Sequence, residues 1–343
     1  MKKVEARNIL VIKWGALGDL IASTTAIRIL RENYPEANIT LLTNPLMLQI
    51  LPEGFLVNKH ITINTRRNKV IDSVFKQIST ILKLRKYKYD LCINLRWTSE
   101  RAALMTYLSG AKVRISSGPK NAMKFYTIQL KHPEGRYHEI HRNLDIMKAL
   151  GCSVEDENPV VYYSENAEQN VKKFFEENDL IKEKTLCIHP GASKPNRAWM
   201  PERFAEIGKR IVSDYDAKVL LTWGRGEEQL VAKVAEMIGE KAVISYETKT
   251  IGDLAAMISN CKLFLSNCTG PMNVAVAVKT PVVALLGSSD PTDWGAYGKE
   301  HINIKSPLVL EHYSDEDERM AFEAITINSV LEVIYKRWKE LDG

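Results

Sequence analysis

The sequence predicts an α/β protein with two Rossmann-like domains facing across a cleft. Three observations predict it. Short apolar runs alternate with amphipathic stretches of helical period along the whole chain. The pattern breaks off near 155–170 and then restarts. The turns that follow the apolar runs carry glycines, acids and basic residues, as the ligand crevice of an open parallel sheet requires. At 343 residues the chain also exceeds what one ordinary core organises.

In the first half, ILVIKW (9–14) reads as a buried strand followed by a helix from Asp19 to Asn33. ANITLLT (37–43) and VNKHITI (57–63) read as strands, then comes a helix from about Val70 to Leu84. The strand DLCINL (90–95), a helix near Ser99 and the strand VRISS (113–117) complete this set. Strand, helix and strand in succession imply parallel pairing through right-handed crossovers. The stretch 118–137 is basic and polar, with little periodicity, and reads as a substrate-side loop. In the second half TLCIHP (185–190) and AKVLLTW (217–223) are strands separated by the helix PERFAEIGKRIV (201–212). EEQLVAKVAEMI, a short VIS strand, IGDLAAMIS, KLFLSN, a helix after Pro271 and PVVALLG follow. Domains are therefore expected at 1–160 and 161–343. The last helix, about 325–341, is available to pack back on the first domain.

Hydrophobic content of 45% with 26% charged residues describes a soluble globular chain, and no apolar run approaches the length of a membrane span. Glu5, Arg7 and Lys13 interrupt the apolar start, which argues against a secretory signal. The five cysteines are scattered without a CxxC pair, so neither a zinc site nor a disulfide framework is expected, and a reducing cytoplasm is the simplest home. Net charge is only +5, yet Val57–Lys131 holds sixteen Lys/Arg against three acids. Such a stretch attracts phosphate, on a soluble substrate or an anionic membrane face; a set of solvated helix faces is the plainer alternative. Aromatic residues do not alternate with the basic ones as a stacking surface requires, which disfavours nucleic acid.

Four strand-end clusters carry candidate chemistry. The first is Gly15-Ala-Leu-Gly18-Asp19, where two glycines permit a tight turn and close approach of a ligand. Asp19 is either a helix cap or a general base. It is neither a full GxGxxG nor a P-loop. The second is His189-Pro-Gly191-Ala-Ser193-Lys194-Pro-Asn-Arg197-Ala-Trp199, a Gly/Ser turn with two cations, suited to a diphosphate. His189 itself reads equally well as a packed imidazole. The third is Ser266-Asn-Cys268-Thr269-Gly270-Pro-Met-Asn273, in which Thr269 reads as an N-cap and Pro271 as a first-turn proline, giving a helix N-terminus for a phosphate. The fourth is Trp223-Gly-Arg-Gly226-Glu227-Glu228, where Glu227 is a candidate for ribose hydroxyls or merely a solvated acid.

These segments together resemble the family 9 glycosyltransferases, the heptosyltransferases of lipopolysaccharide core synthesis, over nearly the whole length. ILVIKWGALGDLIASTTAIRILRENYPEANITLLT is similar to the family's start, IHPGASKPNRAWMPERFAEI to its second-domain phosphate loop, and SNCTGPMNVAVAVKTPVVALLGSSDPTDW to its most diagnostic segment. The resemblance implies a GT-B fold with an N-terminal acceptor domain and a C-terminal nucleotide-sugar domain. It implies inverting transfer of heptose, or a related sugar, from ADP-heptose to a lipopolysaccharide core or other surface-glycan acceptor that is phosphorylated or lipid-linked, with peripheral contact at the inner membrane. It implies Asp19 as the catalytic base and no metal or other cofactor. Donor contacts would come from Gly18, Gly191, Ser193, Lys194, Arg197, Glu227, Thr269, Gly270 and Asn273. The third segment departs from the family's Asp-Ser/Thr-Gly-x-x-His at Cys268 and Asn273, which implies altered donor contacts. A catalytically silent nucleotide-sugar-binding homologue is the alternative. A nicotinamide oxidoreductase is disfavoured for want of a dinucleotide fingerprint.

Overall fold

The computed structural model describes residues 3–63, 70–118, 120–131, 135–309 and 314–342. It divides into two compact units, Met1–Tyr162 and Tyr163–Gly343. The RRNK run (66–69) of the basic stretch lies outside the described residues.

The first unit contains β1 (Asn8–Ile12), α1 (Leu17–Asn33), β2 (Asn38–Thr43), α2 (Met47–Ile50), β3 (Lys59–Thr62) and α3 (Val70–Lys86). β4 (Leu91–Asn94), α4 (Glu100–Leu108), β5 (Val113–Ser116), β6 (Ile128–Gln129) and α5 (Glu139–Ala149) follow. Its sheet is parallel throughout, in the order β3-β2-β1-β4-β5-β6. β1 and β4 sit centrally and are apolar along nearly their whole length because helices cover both faces. The stretch 118–137 is less irregular than its composition suggests. It holds a 3₁₀ turn at Lys120–Phe125 and the edge strand β6, too short to show a period.

The second unit contains α6 (Glu165–Glu177), β7 (Thr185–His189), α7 (Pro201–Tyr215), β8 (Lys218–Leu221), α8 (Glu228–Ile238), β9 (Ala242–Ile244) and α9 (Ile251–Ser259). It continues with β10 (Leu263–Asn267), α10 (Gly270–Ala277), β11 (Val282–Leu286), α11 (Pro291–Trp294), β12 (Ile302–Lys305), α12 (Asp315–Ala324) and α13 (Ile327–Glu340). The order β12-β11-β10-β7-β8-β9 is again all parallel. Read from the other edge, it repeats the topology of the first sheet, with β7 in the place of β1 and β10 in that of β4. The apolar face of α13, Val330, Leu331, Ile334 and Trp338, is buried in the second unit's own core, where the helix packs on α7. The surface expected to be available to the first domain is thus used within the second. No described helix is long and apolar enough to cross a membrane.

Candidate functional site

Each sheet reverses its winding direction between its two central strands, and the loops leaving those strands splay apart there to leave a crevice. In the first unit the crevice lies between β1 and β4. Asp19 sits in the first turn of α1, two residues inside a helix that begins at Leu17. Its Oδ2 accepts the backbone N–H of Ala16 at 3.3 Å, so the capping reading holds for one oxygen. The other oxygen, Oδ1, lies 4.0 Å from Arg96 Nη1, in the loop after β4. Gly15 makes room for this carboxylate: a Cβ there would fall 2.7 Å from Asp19 Oδ2. Asn44, following β2, fixes the same turn by donating to the Gly15 carbonyl at 3.0 Å. Gly18 lies in the first turn of α1 beside Asp19.

Beneath this turn is an ion pair not anticipated from the sequence. Lys13 is fully buried and donates to Glu139 Oε1 at 2.8 Å and to the Leu95 carbonyl at 3.1 Å. Glu139 Oε2 accepts Trp97 Nε1–H at 3.1 Å. Burial pushes the Glu139 pKa up, but Lys13, the Trp97 N–H and Arg142 outweigh it and hold the carboxyl below its usual range. The pair ties the β1 and β4 loops to the start of α5, fixing the backbone that carries Trp14–Asp19 and Arg96. A lysine ending an apolar strand was the available signal, since lysine is almost never fully buried without a partner. Arg101 over the Trp14 ring (5.9 Å) and Arg142 over the Trp97 ring (5.0 Å) add cations at the same end of the sheet.

In the second unit the crevice lies between β7 and β10. Asn267, fully buried at the end of β10, binds across it: its amide donates to Pro190 O (3.0 Å) and Gly191 O (3.2 Å), and its Oδ1 accepts Trp199 N–H (2.9 Å). One side chain therefore shapes the whole 190–199 loop. Ser193, Lys194 and Arg197 stand exposed on that loop. Glu227 folds against it. The carboxylate accepts Gly224 N–H at 2.7 Å and lies 3.5 Å from His189 Nε2. A Cβ on Gly191 would come within 2.1 Å of Glu227 Oε1, so position 191 has to be glycine while Glu227 stays there. Burial drives the His189 pKa down to about 4, and burial raises that of Glu227. His189 is thus a neutral imidazole at ordinary pH, with Thr222 Oγ1 3.2 Å from Nδ1.

Thr269 occupies the N-cap position of α10 but does not cap it: its hydroxyl donates to Asn267 O at 3.3 Å. Pro271 in the first turn has no N–H to offer, which removes one of the two donors a capping hydroxyl would accept. The N-terminus of α10, Gly270 included, consequently lacks a side-chain cap. Asn273 donates to the Thr269 carbonyl at 3.2 Å, inside its own helix. Cys268 is a protonated thiol, its pKa pushed to about 11 by burial; Arg197 lowers it and Glu318 raises it, and both are neighbours. That Glu318 is a second group missed in the sequence, where no helix is read between PVVALLG and the last one. Its carboxylate is buried and lies 3.1 Å from Arg197 Nη2. Among the described residues no group of three or more His, Cys, Asp or Glu side chains could hold a metal ion.

The glycosyltransferase family 9 (heptosyltransferase) model matches residues 78–323. Lipopolysaccharide heptosyltransferase 3 of Escherichia coli K12 is 27% identical over 285 residues, 81% of each chain. Among solved structures, a family 9 glycosyltransferase from Veillonella parvula superposes with a TM-score of 0.83 at 21% identity, covering 97% of this chain and 98% of that one. E. coli heptosyltransferase WaaC with ADP-2-deoxy-2-fluoro heptose superposes with a TM-score of 0.73 at 18% identity, covering 96% and 99%. Two repeated parallel sheets, each with its polar residues gathered at the reversal of winding, are thus the halves of a GT-B enzyme, and the chain belongs to glycosyltransferase family 9, the heptosyltransferases.

Proposed function

We propose that this enzyme inverts the anomeric centre while moving heptose, or a closely related sugar, from ADP-heptose to a lipopolysaccharide-core acceptor. The observation that carries the reading is the placement of Asp19. A carboxylate is held at the winding reversal of the first sheet by a glycine that makes room for it, with Arg96 beside it. In the reaction the acceptor hydroxyl gives its proton to Asp19, and its oxygen bonds to the anomeric carbon. The bond from that carbon to the diphosphate breaks, and the nucleoside diphosphate leaves with the electron pair. Lys194, Arg197 and the uncapped N-terminus of α10 offset the charge that grows on the leaving group, so the reading assigns no role to a metal. Glu227 accepts hydrogen bonds from the ribose hydroxyls, and the turn from Gly191 to the exposed Ser193 offers backbone N–H groups to phosphate. Support for the donor comes from the solved relative holding an ADP-heptose analogue. Support for the acceptor comes from the lipopolysaccharide heptosyltransferase relatives. The cationic first unit suits a phosphorylated or lipid-linked acceptor, met with the enzyme peripheral to the cytoplasmic face of the inner membrane.

The deciding experiment pairs transfer kinetics with calorimetry. Asp19→Asn should abolish transfer, by the roughly 10²–10⁴-fold that a general base contributes, while ADP binds as before. Preserved transfer in Asp19→Asn would sink the assignment. ADP binding without turnover by the wild type, across a panel of lipopolysaccharide-core acceptors, would favour a silent binding homologue. ADP should stabilise the fold in a thermal-shift screen where UDP, GDP and CDP do not, by about 2.7 kcal/mol at a hundred times its Kd.

A further inference from the structure

We infer that Glu318 is a positioning residue of the donor site, which aims the Arg197 guanidinium at the diphosphate. The inference rests on the donor-site reading above and adds a residue to it. Glu318 is only 5% exposed. Ser288, just past β11, anchors the carboxylate twice: its hydroxyl donates to Oε1 at 2.5 Å and its backbone N–H to Oε2 at 3.3 Å. Gly287 lets α12 come this close, because a Cβ there would fall 2.7 Å from the Phe322 ring and 3.1 Å from Glu318 Oε2. The acid is therefore fixed before it meets Arg197.

Arg197 is the opposite case. Its side chain is 52% exposed, and its one ion pair among the described residues is the 3.1 Å contact from Nη2 to Glu318 Oε1. A guanidinium is a rigid planar fork, so holding Nη2 leaves its other edge for an anion and limits the rotamers it samples. The rest of α12 and its exit grip the same loop and the first turn of α7 that follows it. Asn196 donates to Asp315 Oδ1 at 2.8 Å, Arg203 to the Glu323 carbonyl at 2.7 Å, and Trp199 Nε1 to the Ile325 carbonyl at 3.0 Å. Helix α12 is thus a brace for the phosphate loop, and Glu318 is the part of it that touches Arg197.

A buried carboxylate near a diphosphate acts in two opposed ways. Its charge repels the ligand, and its grip on Arg197 preorganises the site. The sign of the effect on removal separates the two. Calorimetric titration of the full-length protein with ADP would compare wild type, Arg197→Ala, Glu318→Gln and the double variant. We expect Arg197→Ala to weaken ADP binding about tenfold and Glu318→Gln about threefold to tenfold, with no further loss in the double variant. Ser288→Ala, which loosens the carboxylate but keeps its charge, should weaken binding in the same direction, and it carries the test if Glu318→Gln fails to fold. Tighter binding in Glu318→Gln, or equal losses with and without Arg197, overturns the positioning role and leaves the donor site standing. An unchanged ADP affinity in Ser288→Ala likewise counts against it. ADP binding that ignores Arg197→Ala overturns the donor role of Arg197 and this inference with it. A wild type that binds no ADP overturns the donor-site reading as a whole.

Discussion

At the scale of single residues, the informative positions are pairs in which one side chain exists to let another stand where it does. Gly15 and Gly191 are such permissive residues, for Asp19 and Glu227 respectively. Gly15→Ala should displace the Asp19 carboxylate and lower transfer by about 10²-fold or more while the melting temperature changes little, a contrast measurable by kinetics beside calorimetric scanning. Gly191→Ala should push Glu227 off the Gly224 N–H and weaken ADP binding without unfolding the protein. The Lys13–Glu139 pair belongs to stability instead. Glu139→Gln leaves a buried ammonium without its counter-charge and should cost about 3–5 kcal/mol in denaturant unfolding. Because the folded protein holds Glu139 below the ordinary carboxylate value of 4.5, its contribution is complete above that pH and is lost as the pH falls below it.

At the scale of elements, most of the fold was legible and the exceptions share a cause. Strands β1, β2, β7, β10 and β11 are read correctly because parallel strands covered on both faces become nearly continuous apolar runs. Strand β6, with two residues, and β12, whose sequence INIK is only half-buried, carry no such run. Helix α12 has four acids in its first turn and shows nothing of the Glu318 contact, because α12's contacts with the 190–199 loop are made by residues about 120 positions apart. The same limit hid Lys13–Glu139, separated by 126 positions. Thr269 takes the N-cap position read for it, but its hydroxyl makes no capping bond, and Pro271 two positions on has no N–H to donate. This difference can be measured. Thr250 does cap α9, accepting the Asp253 N–H at 3.1 Å, so Thr250→Ala should cost about 1 kcal/mol. Thr269→Ala should cost clearly less in the same assay.

At the scale of the whole molecule, the same six-stranded topology occurs twice, and in each unit a buried asparagine ends the strand beside the winding reversal. Asn94 accepts the Arg96 N–H at 2.8 Å and donates to Tyr126 Oη at 2.7 Å; Asn267 shapes the phosphate loop. The clusters near 15–19, 189–199 and 266–273 were recognisable in sequence because each stands where a strand of this shared scaffold gives way to its loop or helix. Buried histidines add to the acid sensitivity of the chain. His189, and likewise His301, has its folded pKa lowered from 6.5 to about 4 by burial. The unfolded chain therefore takes up these protons first as the pH falls. Stability should be complete above about 6.5 and decline between 6.5 and 4, on the order of 1 kcal/mol per pH unit for each histidine. Urea midpoints across that range would show it, and His189→Gln should flatten the slope.

The brace that α12 supplies has a consequence in time. The phosphate loop is synthesised at about residue 197, but the glutamate that orients its arginine is added 121 residues later. At about 5–20 residues per second, the loop exists for roughly 6–24 seconds before its partner is made. A ribosome-bound chain halted just after β12 should therefore bind ADP more weakly than one extended through α12 and α13, and nucleotide capture lags the synthesis of the loop that performs it.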